Sequence, residues 1–223
     1  MTEKHTHCQQ TNTNAVINSM QMTFNKGFTL MELLITISIA GILLALGIPS
    51  FMSMMAESRI SAQHNSLLGS LYQARSEAIK GASNVTVCPK NVVDGEDCGS
   101  DWLNGWIVFR DSALPQSATA AVASRADIIS VETAIQGPNT ISAFGSTTNV
   151  VGQVGTANFV RYLQNGSSSM TTGSLVICDI ARGAASSRAL NIVQTGDIRR
   201  GTVTDGTAPR DVFNRAVPCP DPN

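Results

Sequence analysis

The sequence predicts an α+β protein in which one long N-terminal helix, its first half membrane-spanning, packs through its second half on an antiparallel β-sheet. Three observations predict it. From Leu33 to Ala56 no residue is charged, about 24 positions and enough to cross a bilayer as a helix. After Met55 the apolar residues turn periodic: Ile60, Leu67, Leu68, Leu71, Ala74, Ala78 and Ile79, with polar residues between them. That is a helical stripe about one face wide. Beyond Gly81 the texture changes to short runs rich in Val, Ile, Thr and aromatics, punctuated by Gly, Asn, Asp and Ser, which reads as strands and turns. A chain of 223 residues fits one globular domain plus an anchor, and no internal repeat is visible.

The chain opens with a polar, mixed segment, Met1 to Lys26, followed by Lys26-Gly27-Phe28-Thr29-Leu30-Met31-Glu32. A positive residue before an apolar stretch also describes a secretory signal peptide or a plain anchor. A secretory apolar region is shorter, however, and ends in a small-residue cleavage site that this stretch lacks. Neither alternative explains Glu32, whose charge in hydrocarbon costs at least a few kcal/mol unless it is neutralised. Helix from about Thr29 to Lys80 has a length on the order of 75–80 Å at 1.5 Å per residue. Gly81 suits the C-cap, and Lys80 the negative end of the helix dipole. Pro49, with Gly41 and Gly47 nearby, marks a bend or a locally melted stretch.

The expected strands are Asn84–Cys88, Gly105–Arg110, Ile128–Thr133, Thr140–Phe144, Asn158–Leu163, Leu175–Asp179 and Ala189–Gln194. Ser112 to Ala126, with Ser117-Ala118-Thr119-Ala120-Ala121, reads as a loop. Gln164-Asn165-Gly166-Ser167 reads as a hairpin turn. The segment from Gly201 to Asn223 is rich in Gly, Pro and Asp and reads as irregular, held by Cys219. Trp102 and Trp106 are expected to pack on the sheet rather than to stack on a ligand.

Charged residues are sparse at 14%, and the net charge is −1. Loss of residues 1–27 would remove Glu3, Lys4 and Lys26, a net +1, and leave −2. The chain is therefore no polycation. Only Lys80 and Lys90 remain among lysines, and six of the eleven arginines lie beyond residue 180. Of five cysteines, Cys8 precedes the junction, leaving Cys88, Cys98, Cys178 and Cys219. An even set in an exported domain reads as a disulfide framework. Three connectivities are possible and the sequence alone does not choose. The preferred one closes a short loop with Cys88–Cys98 and pins the tail with Cys178–Cys219. A zinc site is disfavoured because no pair has CxxC spacing and no His lies near. Asp94, Glu96, Asp97 and Asp101 cluster in one loop, but not with the spacing of an EF-hand. His64 is the only histidine after the junction and falls on the helix between Gln63 and Asn65. No constellation of nucleophile, base and orienter is visible; neither catalysis nor a cofactor is expected.

The junction and Glu32 strongly resemble the class III signal of type IV pilins and type II secretion pseudopilins. The resemblance implies that a prepilin peptidase cuts between Gly27 and Phe28 and methylates the new amine of Phe28. It also implies that Glu32 pairs with that amine on an adjacent subunit as filaments assemble; pairing with its own N-terminus is the local alternative. Further on, Val87-Cys88-Pro89, Asp97-Cys98 and Trp102-x-x-Gly105-Trp106-Ile107-Val108-Phe109-x-Asp111 resemble the GspH/FimT domain. So do Phe159-Val160-Arg161-Tyr162-Leu163-x-x-Gly166 and Leu175-x-Ile177-Cys178. The cysteine positions are more similar to the FimT and FimU minor pilins than to secretion pseudopilin H.

The resemblance implies a type IV pilin fold with a leader over 1–27, a transmembrane and filament-core half-helix over 28–56, and a soluble domain over 57–223. It implies a single-pass protein of the bacterial inner membrane with a periplasmic C-terminal domain, later part of a pilus or pseudopilus. Its partners would be the prepilin peptidase, other major and minor pilins or pseudopilins, and DNA. The expected function is a minor type IV pilin with a role in pilus assembly and in DNA binding or uptake. The alternative is a minor pseudopilin of a type II secretion system.

For DNA the resemblance points to the C-terminal arginines. Gly196-Asp197-Ile198-Arg199-Arg200 occupies the place where DNA-binding relatives carry Gly-Arg-x-Arg; Gly196 and Arg199 match, Arg200 is additional, and Asp197 departs. Residues 181–223 carry Arg182, Arg188, Arg199, Arg200, Arg210 and Arg215 against Asp197, Asp205, Asp211 and Asp221. A flexible loop bearing Gly196, Arg199, Arg200 and Arg210 is the expected DNA contact, since guanidinium suits bidentate phosphate binding. The alternative is a solubilising loop of Asp–Arg pairs.

Overall fold

The computed structural model describes residues 27–91, 96–114, 117, 119–120, 122–145, 159–169, 173–201, 203–204, 208–210, 214, 216 and 219. Two compact units divide the chain at Ile48/Pro49. The leader over 1–26 with Cys8, together with Asp94, Asn158, Ala118, Ala121, Asp205, Asp211, Arg215 and Asp221, lies outside the described residues.

The 52-residue helix α1 runs Leu30–Gly81. Its assignment passes through Pro49 without a break, so the melted stretch expected there is absent. From Ile60 onward the buried positions are Ile60, His64, Leu67, Ser70, Leu71, Ala74 and Ala78. Spacings of three and four place them all on one face. His64 and Ser70 join the expected stripe although polar, while Ile79 leaves it, 53% exposed. The helix ends in a Schellman-type cap: the Ser83 N–H donates to the Ala78 carbonyl at 3.4 Å. Gly81 is its last helical residue, and the left-handed φ of 44° falls on Ala82.

Among the described residues ten strands follow: β1 Asn84–Pro89, β2 Trp106–Asp111, β3 Ile128–Val131, β4 Thr140–Gly145, β5 Val160–Tyr162, β6 Gly173–Cys178, β7 Arg188–Ile192, β8 Ile198–Gly201, β9 Val203–Thr204 and β10 Ala208–Pro209. The seven expected strands are present with ends moved by two residues at most. They do not form one sheet. One antiparallel sheet has the order β3-β2-β1-β5, a second has β4-β6-β7-β8, and β9 pairs with β10. Strand β8 corrects the flexible loop expected at Arg199 and Arg200. Its backbone pairs with β7 in the register Leu190↔Arg200 and Asn191↔Arg199, and ladder bonds need no apolar side chains.

The helical stripe packs on Val85, Val87, Trp106, Val108 and Tyr162 from the first sheet and on Ile141, Leu175, Ile177, Leu190 and Ile192 from the second. Each such fully buried aliphatic side chain stabilises the fold by about 1.5–3 kcal/mol. Trp102 and Trp106 are both buried, and the Trp106 indole N–H donates to Ser70 Oγ at 2.9 Å. That bond explains a serine inside an apolar stripe, since a buried indole needs an acceptor.

Alternation along the strands turns Cys88, Ile107 and Phe109 to the other face of the first sheet, where they cluster with Phe159. There too Arg161, fully buried, pairs with the Asp111 carboxylate through Nη2 at 2.7 Å and Nε at 2.9 Å. Thr86 Oγ1 donates to the same oxygen at 2.7 Å. The remaining guanidinium hydrogens reach the carbonyls of Leu114, Ser117 and Thr119 at 3.2, 2.9 and 2.7 Å. The loop after β2 is thereby strung on one arginine, whose plane also lies 4.8 Å from the Phe159 ring centroid.

Candidate functional site

The N-terminal junction is built for exposure. Phe28 is 79% exposed, and every large apolar residue from Leu30 to Met55 is likewise uncovered. An apolar surface of this extent is stable only in lipid or against other chains. Thr29 caps α1: its hydroxyl accepts the Glu32 N–H at 3.1 Å, and its carbonyl accepts the Leu33 N–H at 3.1 Å. Thr29 and Glu32 thus occupy the N-cap and N3 positions of a Thr-x-x-Glu capping box, where the helix dipole also favours an anion. The sequence carried this signal, and the reading of Glu32 as a partner-seeking acid passed over it.

Cys88 is bonded to Cys98 and Cys178 to Cys219, each pair with a Cα separation of 5.6 Å. The second bond sets Cys219 against Val176 and Ala189 on the face of the second sheet turned away from the helix. The acidic loop is committed internally. Glu96 pairs with Arg125 at 2.6 Å, Asp97 accepts the N–H groups of Cys98 and Val122, and Asp101 caps a 3₁₀ turn. Among the described residues no group of His, Cys, Asp and Glu is arranged to hold a metal ion.

Most of the arginines are also committed. Arg182 binds Asp179 at 2.6 Å and Glu57 at 3.1 Å, and Arg188 binds the other oxygen of Glu57. Burial is the largest single influence on Glu57 and raises its pKa, but the hydrogen bonds and charges of Arg188 and Arg182 together outweigh it and hold the carboxyl below its ordinary range. Arg210 donates to the Asn214 carbonyl at 3.0 Å, within the tail. Arg75, in the second half of α1, donates to the carbonyls of Gly166 at 3.0 Å and Thr195 at 3.1 Å and to the Asp197 carboxylate at 2.8 Å. One side chain thus ties the helix to the β5 hairpin turn and to the β7–β8 turn. The two turns touch, for Gly196, at φ 81°, lies against the Gly166 carbonyl. Gly196 is thereby fixed by geometry.

Arg199 and Arg200 are both exposed, and neither side chain makes a hydrogen bond or ion pair to a described residue. Successive residues of a strand face opposite ways. Arg200 shares the helix side with its partner Leu190, while Arg199 and Asn191 face the tail side. Gly196, Arg199, Arg200 and Arg210 do not converge on one surface.

Asp197 no longer stands as a free acid beside these arginines. The Arg75 guanidinium, with the Thr195 hydroxyl, holds its carboxyl below the usual range. A depressed carboxylate stabilises above its unfolded pKa and loses that contribution as pH falls through the folded value. Melting temperatures of the parent and Asp197→Asn should therefore differ above pH about 4, the ordinary Asp range, and converge in stronger acid. An equal difference at pH 3 and pH 7 would remove the pair from the stability of the turn.

Residues 63–196 match the family model described as type II transport protein GspH. Residues 22–48 match the prokaryotic N-terminal methylation motif. The type IV major fimbrial protein FimA of Dichelobacter nodosus is 29% identical over 109 residues, covering 48% of this chain and 61% of that protein. Among solved structures, the type IV minor pilin FimU of Pseudomonas aeruginosa is 17% identical at a TM-score of 0.45, over 65% of this chain and 90% of that one. The minor pseudopilin EpsH of the Vibrio cholerae type 2 secretion system is 13% identical at a TM-score of 0.41, over 64% and 95%.

Proposed function

The chain belongs to the GspH family, and from that premise we propose that it is a minor type IV pilin with a role in pilus assembly. The observation that carries this is the wholly uncovered apolar half-helix that begins at the Gly27–Phe28 junction and bears one acid in its first turn. On this reading prepilin peptidase removes residues 1–27 and methylates Phe28. Residues 28–56 anchor the subunit in the inner membrane and later enter the filament core, and residues 57–223 form the periplasmic domain. Glu32 neutralises the Phe28 amine of a neighbouring subunit, which removes two charges from lipid at once.

The test is Glu32→Ala. Mass spectrometry is expected to find normal cleavage and methylation at Phe28, while the variant's share of sheared filaments falls at least tenfold. Incorporation at the parental level would sink the assembly role. The family description, type II transport, favours a second reading: a minor pseudopilin of a secretion system. Deleting the gene separates the two, since the first loses surface pili and the second loses exoprotein secretion.

DNA binding, if this subunit performs it, rests on Arg199 and Arg200. Both are exposed, and Asp197 is occupied by Arg75. So few phosphate contacts give weak, salt-sensitive binding. Fluorescence anisotropy of the full chain in detergent across a salt series, beside Arg199→Ala/Arg200→Ala, reads it directly. No binding at low salt returns the pair to surface chemistry.

A further inference from the structure

A cleft of about 240 Å³ opens between α1 and the β7–β8 edge, lined by Ser61, His64, Asn65, Arg188, Ala189, Arg200 and Gly201. We propose that this cleft is a binding site for one phosphate-type oxyanion, held between Arg188 and Arg200 over His64. The site is distinct from the filament machinery and stands whether or not the chain binds DNA.

The register places the two arginines. Arg200 is opposite Leu190, so Arg188 is its diagonal neighbour on the same, helix-facing side of the sheet. Such positions lie about 7–8 Å apart, and two guanidinium forks on long arms can close on one tetrahedral ion from two sides. The floor is supplied by the helix, where His64 is only 6% exposed. The lining offers two guanidinium groups and the Asn65 amide as donors, while the Ser61 hydroxyl donates to Glu57 at 3.5 Å and the imidazole is bonded to Asn65 and the Ala189 backbone.

The charges leave one cation over. Around the cleft stand Arg182, Arg188 and Arg200, facing Glu57 and Asp179. Arg182 and Arg188 are compensated by the two carboxylates, and Arg200 is not. Both lining arginines reach His64 electrostatically: burial first, then Arg200 and Arg188, press its pKa below the ordinary value against an opposing bond to Asn65. His64 therefore sits where an arriving anion must change its titration. An anion between the arginines cancels their effect and favours the imidazolium, so His64 reports occupancy.

The experiment uses the full chain in non-ionic detergent with ¹⁵N-labelled histidine, titrated with inorganic phosphate at constant ionic strength against chloride. The expected result is a saturable movement of the His64 resonance and a raised His64 pKa at saturation. Arg200→Gln weakens the apparent affinity at least tenfold, whereas Arg110→Gln, on the other sheet, leaves it unchanged. A movement that does not saturate, or one unaltered in Arg200→Gln, overturns the site, and acetate binding as tightly as phosphate overturns the phosphate assignment. The unperturbed remainder of each variant's spectrum verifies folding. A single-stranded oligonucleotide forms a separate arm. If it moves the same resonance with the same Arg200 dependence, the source is a nucleic-acid backbone and the site stands. If it does not, free phosphate is the ligand and the site stands without the DNA reading.

Discussion

Replacing Arg161 with methionine is expected to lower folding stability by about 3–5 kcal/mol, the range for breaking a fully buried ion pair from one side. At about 2–4 °C per kcal/mol for a domain of this size, the melting temperature falls by about 6–20 °C. Methionine fills a similar volume, so the loss is electrostatic. The Asp111 carboxylate would keep only the Thr86 hydroxyl and the Ala113 N–H. The carbonyls of Leu114, Ser117 and Thr119 would lose their donor as well, so proteolysis should reach this loop first. Thermal unfolding of the full chain in detergent measures the first effect and limited digestion the second. The double variant Arg161→Met/Asp111→Leu should recover much of the loss, because replacing both charges by apolar groups is often neutral. A loss below about 1 kcal/mol would mean that water reaches the pair and that it behaves as a surface bridge.

The second large effect is expected at Gly196→Ala. The φ of 81° already disfavours a Cβ by about 1–2 kcal/mol. The Cβ would also collide with the Gly166 carbonyl and crowd the Arg75 side chain. Relief requires the two turns to separate, and overpacking of this kind costs about 1–3 kcal/mol more. The total, about 2–5 kcal/mol, is read from thermal unfolding. This result also separates two explanations for a glycine at this place. If it served only to let a strand of DNA approach, Gly196→Ala would leave stability untouched; if it serves the clasp, stability falls before any ligand is added.

What was legible in the sequence follows from which forces leave a local trace. The helix was legible because a charge-free run and then a 3.6-residue period are composition in one dimension. Seven strands were legible because β-branched and aromatic runs mark half-buried pleated surface. Strand β8 was not: Ile198 is the one apolar residue in Ile198-Arg199-Arg200-Gly201, and its strand character comes from the β7 backbone beside it. The division into two sheets was not legible either, since pairing partners leave no mark within a run. His64 is the instructive omission in the cleft. It lies four residues after Ile60 and three before Leu67, which already placed it on the buried face. The Arg161–Asp111 pair was visible only as two members of separate motifs, 50 positions apart; nothing local says that they meet.

Arg75 gives the subunit a mechanical character. On the proposed reading, in which residues 28–56 sit in a filament, load on the globular domain would enter through the second half of α1. Three bonds from this single side chain pass the pull to the turn between β7 and β8 and to the hairpin turn after β5. One turn joins β7 and β8 of the second sheet and the other follows β5 of the first, so this one side chain reaches both sheets. The guanidinium is thus the one side chain that joins α1 to both turns at the place where they meet.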